Sequence, residues 1–144
     1  MDLIPTFESN LIVMTHSDLI SIAEQAEGPV YVYDAAKIQS QYQRLVNAFS
    51  GVEKLKINYA CKALSNVSVL KLMQNMGSGL DTVSIQEVLL GSRAGFKPAD
   101  IIFTPNGVSL EEIETVAEMG VQINIDNLSI LEQFGTKHPN VPVC

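Results

Sequence analysis

Lys62 closes the tetrapeptide Tyr59-Ala60-Cys61-Lys62, and an amine at the end of a strand can do covalent chemistry. Side chains alternate along a strand, so Leu55, Ile57, Tyr59 and Cys61 share one side while Lys56, Asn58, Ala60 and Lys62 share the other. The first side suits packing against helices. The second ends in a lysine at the C-terminal edge, where parallel α/β folds keep their chemistry. A lysine in that place can act as an amine nucleophile toward an aldehyde cofactor. Position alone favours the plainer reading, one more solvated surface lysine.

The elements that must hold Lys62 form a repeat. Strands are expected at Lys56–Cys61, Leu80–Ser84, Ile101–Thr104, Val121–Asp126 and Val141–Cys144. Their starts lie about 20 to 25 residues apart, which leaves room for one helix in each crossover. The helices are expected at Asn66–Met76, Ile85–Ala94, Leu110–Met119 and Leu128–Phe134, each closed by a glycine suited to the left-handed position: Gly77, Gly95, Gly120 and Gly135. Ser84 with Glu87, and Ser109 with Glu112, read as S-x-x-E capping boxes. Strict alternation of strand and helix requires a parallel sheet, doubly wound or closed into a barrel. Val121-Gln122-Ile123-Asn124-Ile125-Asp126 is apolar on one face and polar on the other. Strands of a doubly wound sheet are covered on both faces and tend to be apolar throughout, so the polar face fits a barrel lumen better.

The fold class expected is therefore α/β, a partial (β/α)8 TIM-type barrel of about four and a half βα units preceded by a short N-terminal region. Residues 1–28 mix short apolar stretches with Asn10, Thr15 and Ser17 and read as strand material for a second domain. Residues 29–144 are the first half of the barrel. Val30-Tyr31-Val32-Tyr33 reads as a strand and Asp34 as the N-cap of a helix whose buried stripe is Ile38, Tyr42, Leu45, Val46 and Phe49. A closed barrel needs eight strands and about 250 residues. The ending Val141-Pro142-Val143-Cys144 thus reads as a truncation, with open sheet edges that associate or destabilise the piece.

Composition narrows the setting. With 47% hydrophobic and 17% charged residues, the chain can bury a core. A net charge of −7 without a basic run argues against nucleic-acid partners. Cys61 and Cys144 form no metal or CxxC pattern, which fits a reducing compartment. No apolar run approaches the roughly 20 residues that span a bilayer, so a cytoplasmic location and no membrane are expected.

Three stretches carry a family resemblance: Val30-Tyr31-Val32-Tyr33-Asp34, Asn58-Tyr59-Ala60-Cys61-Lys62-Ala63, and Gly79-Leu80-Asp81-Thr82-Val83-Ser84 with Glu87. In order and spacing they resemble the group IV pyridoxal-phosphate decarboxylases, which share the alanine-racemase-like barrel. Within that group the chain looks most like the branch that converts meso-diaminopimelate to L-lysine. The resemblance implies that Lys62, matching the Y-A-x-K lysine, carries pyridoxal 5'-phosphate and that Asp81 lies near the cofactor. A strand-end carboxylate bonded to a loop explains Asp81 as well. Glu87 also matches, but its capping role accounts for it, and it stays outside the expected site. The resemblance further implies a small amino-acid substrate, a homodimer and a C-terminal β domain that residues 1–28 would join.

The chain departs from the family at two turns. Ile85 and Gln86 replace the glycines of Ser-Gly-Gly-Glu, and Pro105-Asn106-Gly107 stands where Asn-Asn-Lys is usual. The family's later histidine, glycine-rich phosphate loop and acidic partner for the pyridine nitrogen are not among these residues, so the piece alone is expected to be inactive. His16 and His138 are expected to face solvent. Two other classes stay open: a non-catalytic pyridoxal-phosphate carrier, and an α/β barrel whose Lys62 has no cofactor. Ornithine, arginine and carboxynorspermidine remain alternative substrates within the decarboxylases.

Overall fold

The computed structural model describes residues 14–144, so the part of the N-terminal region that holds Asn10 lies outside the described residues. The chain divides into two units, Met1–Leu55 and Lys56–Cys144.

In the first unit, α1 spans His16–Gln25. Thr15 caps it: its hydroxyl accepts from the Asp18 amide at 3.2 Å, and the Asp18 carboxylate accepts from the Thr15 amide at 2.8 Å. Both orphan amides of a helix start are satisfied this way. Helix therefore replaces the strand material expected here, because the reciprocal cap nucleates a turn that the sequence's apolar spacing can extend. Helix α2 spans Ala35–Ala48, and Asp34 caps it as expected, accepting from the Lys37 amide at 3.0 Å. Val30–Tyr33 forms no strand. Alternation alone is not enough, since extended backbone needs a hydrogen-bonded neighbour to become sheet. Nor is the α2 stripe buried: Ile38, Tyr42 and Val46 are half-buried, and Leu45 and Phe49 are exposed.

The second unit is a parallel sheet with one helix after each strand. Strand β1 (Asn58–Ala60) leads through a 3-10 turn (Cys61–Ala63) to α3 (Val67–Asn75). Then come β2 (Gly79–Thr82) with α4 (Ile85–Ala94), β3 (Ile101–Phe103) with α5 (Leu110–Glu118), and β4 (Gln122–Ile123) with α6 (Leu128–Lys137). The spatial order is β1-β2-β3-β4, the same as the chain order. Doubly wound sheets reverse direction at a switch point; a barrel does not. Val143 bridges to Ile123, and Cys144 exchanges backbone bonds with Ile123 and Ile125 at 3.0 and 2.9 Å. The architecture is four βα units and the beginning of a fifth strand, the first part of a (β/α) barrel.

The ordered strands are shorter than expected. Three of the expected helix-closing glycines adopt positive φ: Gly77, Gly95 and Gly120. Gly135 does not, because α6 runs through it to Lys137. The core lies on the helix side of the sheet. Leu80, Thr82, Ile101, Phe103 and Ile123 are wholly buried there, with Leu70, Val88 and Val116 of the helices. Thr82 donates its hydroxyl to the Ile102 carbonyl at 2.9 Å, so no polar group in that layer is stranded. Helix α4 approaches β2 at Gly91, where a Cβ would strike Leu80.

Candidate functional site

Lys62 does not end the strand. Strand β1 stops at Ala60, and Lys62 is the middle residue of the 3-10 turn, closed by the Leu64 amide donating to the Cys61 carbonyl at 3.1 Å. The Tyr59 hydroxyl donates to the Leu64 carbonyl at 3.1 Å and ties the far end of the turn back to the strand. Cys61 is fully buried, and its thiol is pushed up to about 11 by burial and then by the carboxylate of Glu87. A neutral, inert thiol thus pins the turn into the helix-side core. The next residue, Lys62, is exposed. Among the described residues its amine takes part in no ion pair or hydrogen bond.

Asp81 is half-buried on β2, in register with Ala60 on β1 and Ile102 on β3. Strand register therefore gives the inner face one row of Ala60, Asp81, Ile102 and Gln122. Lys62 lies two residues beyond the partner of Asp81, at the same C-terminal edge. The Asp81 carboxylate makes no hydrogen bond among the described residues. One row below, Asn58 faces Gly79, and the amide oxygen of Asn58 fills the space that a Gly79 Cβ would take. Lys56 passes the same glycine and donates to the Ala99 carbonyl at 3.0 Å and to Asp100 Oδ1 at 3.1 Å. Lys56 and Asn58 close the inner face at the bottom. Above them the inner-face row holds Ala60, the Asp81 carboxylate, Ile102 and Gln122, and the exposed Lys62 follows on the turn after β1. A free amine is the kind of group through which a protein can hold an aldehyde cofactor.

Glu87 is a partial surprise. At Ser109 the expected capping box is complete: the serine hydroxyl accepts from the Glu112 amide, and the glutamate returns to the Ser109 amide at 3.0 Å. At Ser84 only the first half forms, and Glu87 accepts instead from the Val83 amide at 2.7 Å. The spacing is identical, so only the path of the strand end distinguishes the two. His16 is exposed, as expected. His138 is not: it stacks on Phe134 with ring centroids 4.8 Å apart and meets Glu114 at 2.9 Å, because α6 extends far enough to lay it on α5. The inner-face pair of Thr104 and Asn124, bonded at 3.0 Å, went unnoticed in the sequence, where nothing but strand parity links them.

A cavity of about 510 Å³ opens at the other end of the sheet, between Ala99, Gly120, Val121, Pro142 and Cys144. Neither Lys62 nor Asp81 lines it. Among the described residues no group of side chains could hold a metal ion, and no helix is long and apolar enough to cross a membrane.

Known proteins share this sequence pattern and fold. Residues 35–144 match the family of pyridoxal-dependent decarboxylases, over its pyridoxal binding domain. Diaminopimelate decarboxylase of Methanothermobacter thermautotrophicus is 38% identical over 116 residues, 80% of this chain and 27% of that protein. The crystal structure of diaminopimelate decarboxylase from Helicobacter pylori complexed with L-lysine has a TM-score of 0.75 at 34% identity, covering 82% of this chain and 30% of that one. Lysine/ornithine decarboxylase from Vibrio vulnificus, complexed with putrescine, has a TM-score of 0.75 at 26% identity, over 90% of this chain and 36% of that one. The chain spans about a quarter of the length of the curated relatives it matches.

Proposed function

The chain belongs to the pyridoxal-dependent decarboxylases, and from that premise we propose that it is the N-terminal part of a diaminopimelate decarboxylase. The whole enzyme would remove one carboxylate of meso-diaminopimelate as carbon dioxide and yield L-lysine. The observation that carries this reading is the 38% identity to a diaminopimelate decarboxylase over 80% of the chain. Residues 29–144 are the first half of its barrel, and residues 1–28 associate with a β domain that follows the barrel.

Lys62 holds pyridoxal phosphate through its ε-amine. In support, the amine is exposed and unpaired on a turn anchored at Cys61 and Leu64. Asp81 stands on the neighbouring strand, in register with Ala60, which lies two residues before Lys62. When bound, the pyridoxal ring supplies the electron sink for breaking the bond to the departing carboxylate. The small side chain at Ala60 keeps bulk off the inner face beside Asp81, and the exposed Lys56–Asp100 pair lies below, at the start of the strands. The working enzyme is a homodimer in the cytoplasm; the free cysteines and the lack of a membrane-spanning helix among the described residues are in keeping with that location.

Borohydride reduction of the pyridoxal-loaded parent protein, followed by peptide mapping, should place the label on Lys62, and Lys62→Ala should remove it. Label on another lysine would sink the assignment. Carbon dioxide release from meso-diaminopimelate should far exceed that from ornithine or arginine, because a site that pairs a distal carboxylate leaves buried charges unmatched without it. Comparable turnover of ornithine would move the protein to the branch of the Vibrio vulnificus enzyme, which covers more of this chain at lower identity.

A further inference from the structure

Nothing in the decarboxylase reading uses the turn Pro105-Asn106-Gly107, which joins β3 to α5. Asn106 is the one asparagine of the sequence followed by glycine. Both residues are exposed at a bend, and Gly107 has φ +67° with nothing within 4 Å of where a Cβ would stand. Among the described residues no hydrogen bond holds the Gly107 amide or the Asn106 side chain. Five other asparagines are restrained, while Asn75 is exposed at the end of α3 and is followed by Met76. Asn66 and Asn127 cap α3 and α6, Asn124 is bonded to Thr104, Asn47 to Gln43, and Asn58 is wedged against Gly79. Asn140 is exposed too, but the branched Val141 follows it.

We propose that Asn106 is a site of spontaneous covalent modification, deamidating through the backbone nitrogen of Gly107. That nitrogen attacks Cγ of the Asn106 side chain; the new C–N bond closes a five-membered imide, the C–NH2 bond breaks, and ammonia leaves with the transferred proton. Solvent water then opens the imide at either carbonyl. One opening gives aspartate; the other gives a β-linked aspartate whose free α-carboxylate can accept a methyl group from a protein carboxyl methyltransferase. No oxidant or reductant enters. Glycine matters twice, since it puts no side chain in the path of ring closure and turns freely into the required backbone geometry. Each conversion adds a negative charge to a chain that already carries −7. The charge falls on the C-terminal edge of the sheet, where the Thr104 amide donates to the Thr82 carbonyl at 2.7 Å, one residue from Asp81.

The inference is independent of the decarboxylase reading and can fail alone. The native chain is held at mildly alkaline pH, then mapped by mass spectrometry, and methyl transfer from labelled S-adenosylmethionine by isoaspartyl methyltransferase is counted. The Asn106 peptide should convert first, to a mixture rich in the β-linked form, with ammonia released in step. Gly107→Ala should slow it several-fold, and Asn106→Gln should abolish methyl acceptance in that peptide. Conversion of Asn75 or Asn140 ahead of Asn106, or conversion at Asn106 only in the urea-unfolded chain, would overturn the proposal. So would an undiminished rate in Gly107→Ala.

Discussion

The two faces of one sheet are built to different standards. On the helix side, Leu80, Ile101, Phe103 and Ile123 are completely buried and Thr82 has its bond. On the inner side, reached by moving one residue along the same strands, Asn58, Ala60, Asp81, Ile102 and Asn124 are half-buried and Gln122 is exposed. The amide oxygens of Asn58 and Asn124 are shielded from solvent yet have no partner. Buried polar atoms without partners are rare and costly in finished interiors. The helix side therefore carries the stability of these four βα units, and the inner side carries their unspent polar groups. Asp81 belongs to the second class, and Lys62 stands exposed on the turn that follows β1.

If that division holds, the largest loss comes from the helix side. Phe103→Ala should cost about 3–5 kcal/mol, because a fully buried ring leaves a cavity that its neighbours cannot fill. The urea midpoint would report it, and a loss under about 1 kcal/mol would mean that this layer is not the core. A smaller and different effect is expected on the inner face. Gly79→Ala drives its methyl into the Asn58 amide, an overpacking worth about 1–3 kcal/mol. Because this face is loosely filled, Asn58→Ala should give most of that back when the two changes are combined. No recovery in the double variant would show the inner face to be as tightly packed as the other.

The sequence exposes the helix side more readily than the inner one, for a physical reason. Period-two alternation and burial are the same signal, so the apolar face of Val121–Asp126 could be read directly, and its polar face favoured a barrel over a doubly wound sheet. The Ser109 box was equally legible, since a cap needs only three residues. Tertiary paths were not. The Lys62 turn depends on Tyr59 reaching Leu64 and on Cys61 finding the core, neither of which spacing encodes. Glu87 passes over Ser84 to Val83 because of how β2 ends. Gly135 reads as a stop, but α6 runs through it to Lys137, and His138 beyond it meets Glu114 of α5 at 2.9 Å, while a mid-helix glycine costs only about 1 kcal/mol. Lys62 was found by its type and its neighbours, while its freedom from any partner had to be seen.

The smallest effect tests whether the outer edge of the helix layer shares the solidity of its centre. There Glu114 of α5 meets Lys137 at 3.1 Å and His138 at 2.9 Å, both from the end of α6. The bonds from His138 and then Lys137 hold the Glu114 carboxyl below its usual 4.5. A carboxyl depressed in the folded state adds stability above its unfolded pKa and loses it as pH falls through the folded value. Wild type should therefore exceed Glu114→Gln slightly in melting temperature at neutral pH, and the gap should close as pH drops below about 4.5. Pairs at the rim of a fold, here a half-buried Glu114 with an exposed Lys137, are worth little and are screened by salt, so the gap should also narrow at high ionic strength. A gap that persists in acid would mean that Glu114 acts by packing its aliphatic stem against α6, and the tight layer would then extend to the rim of the helices.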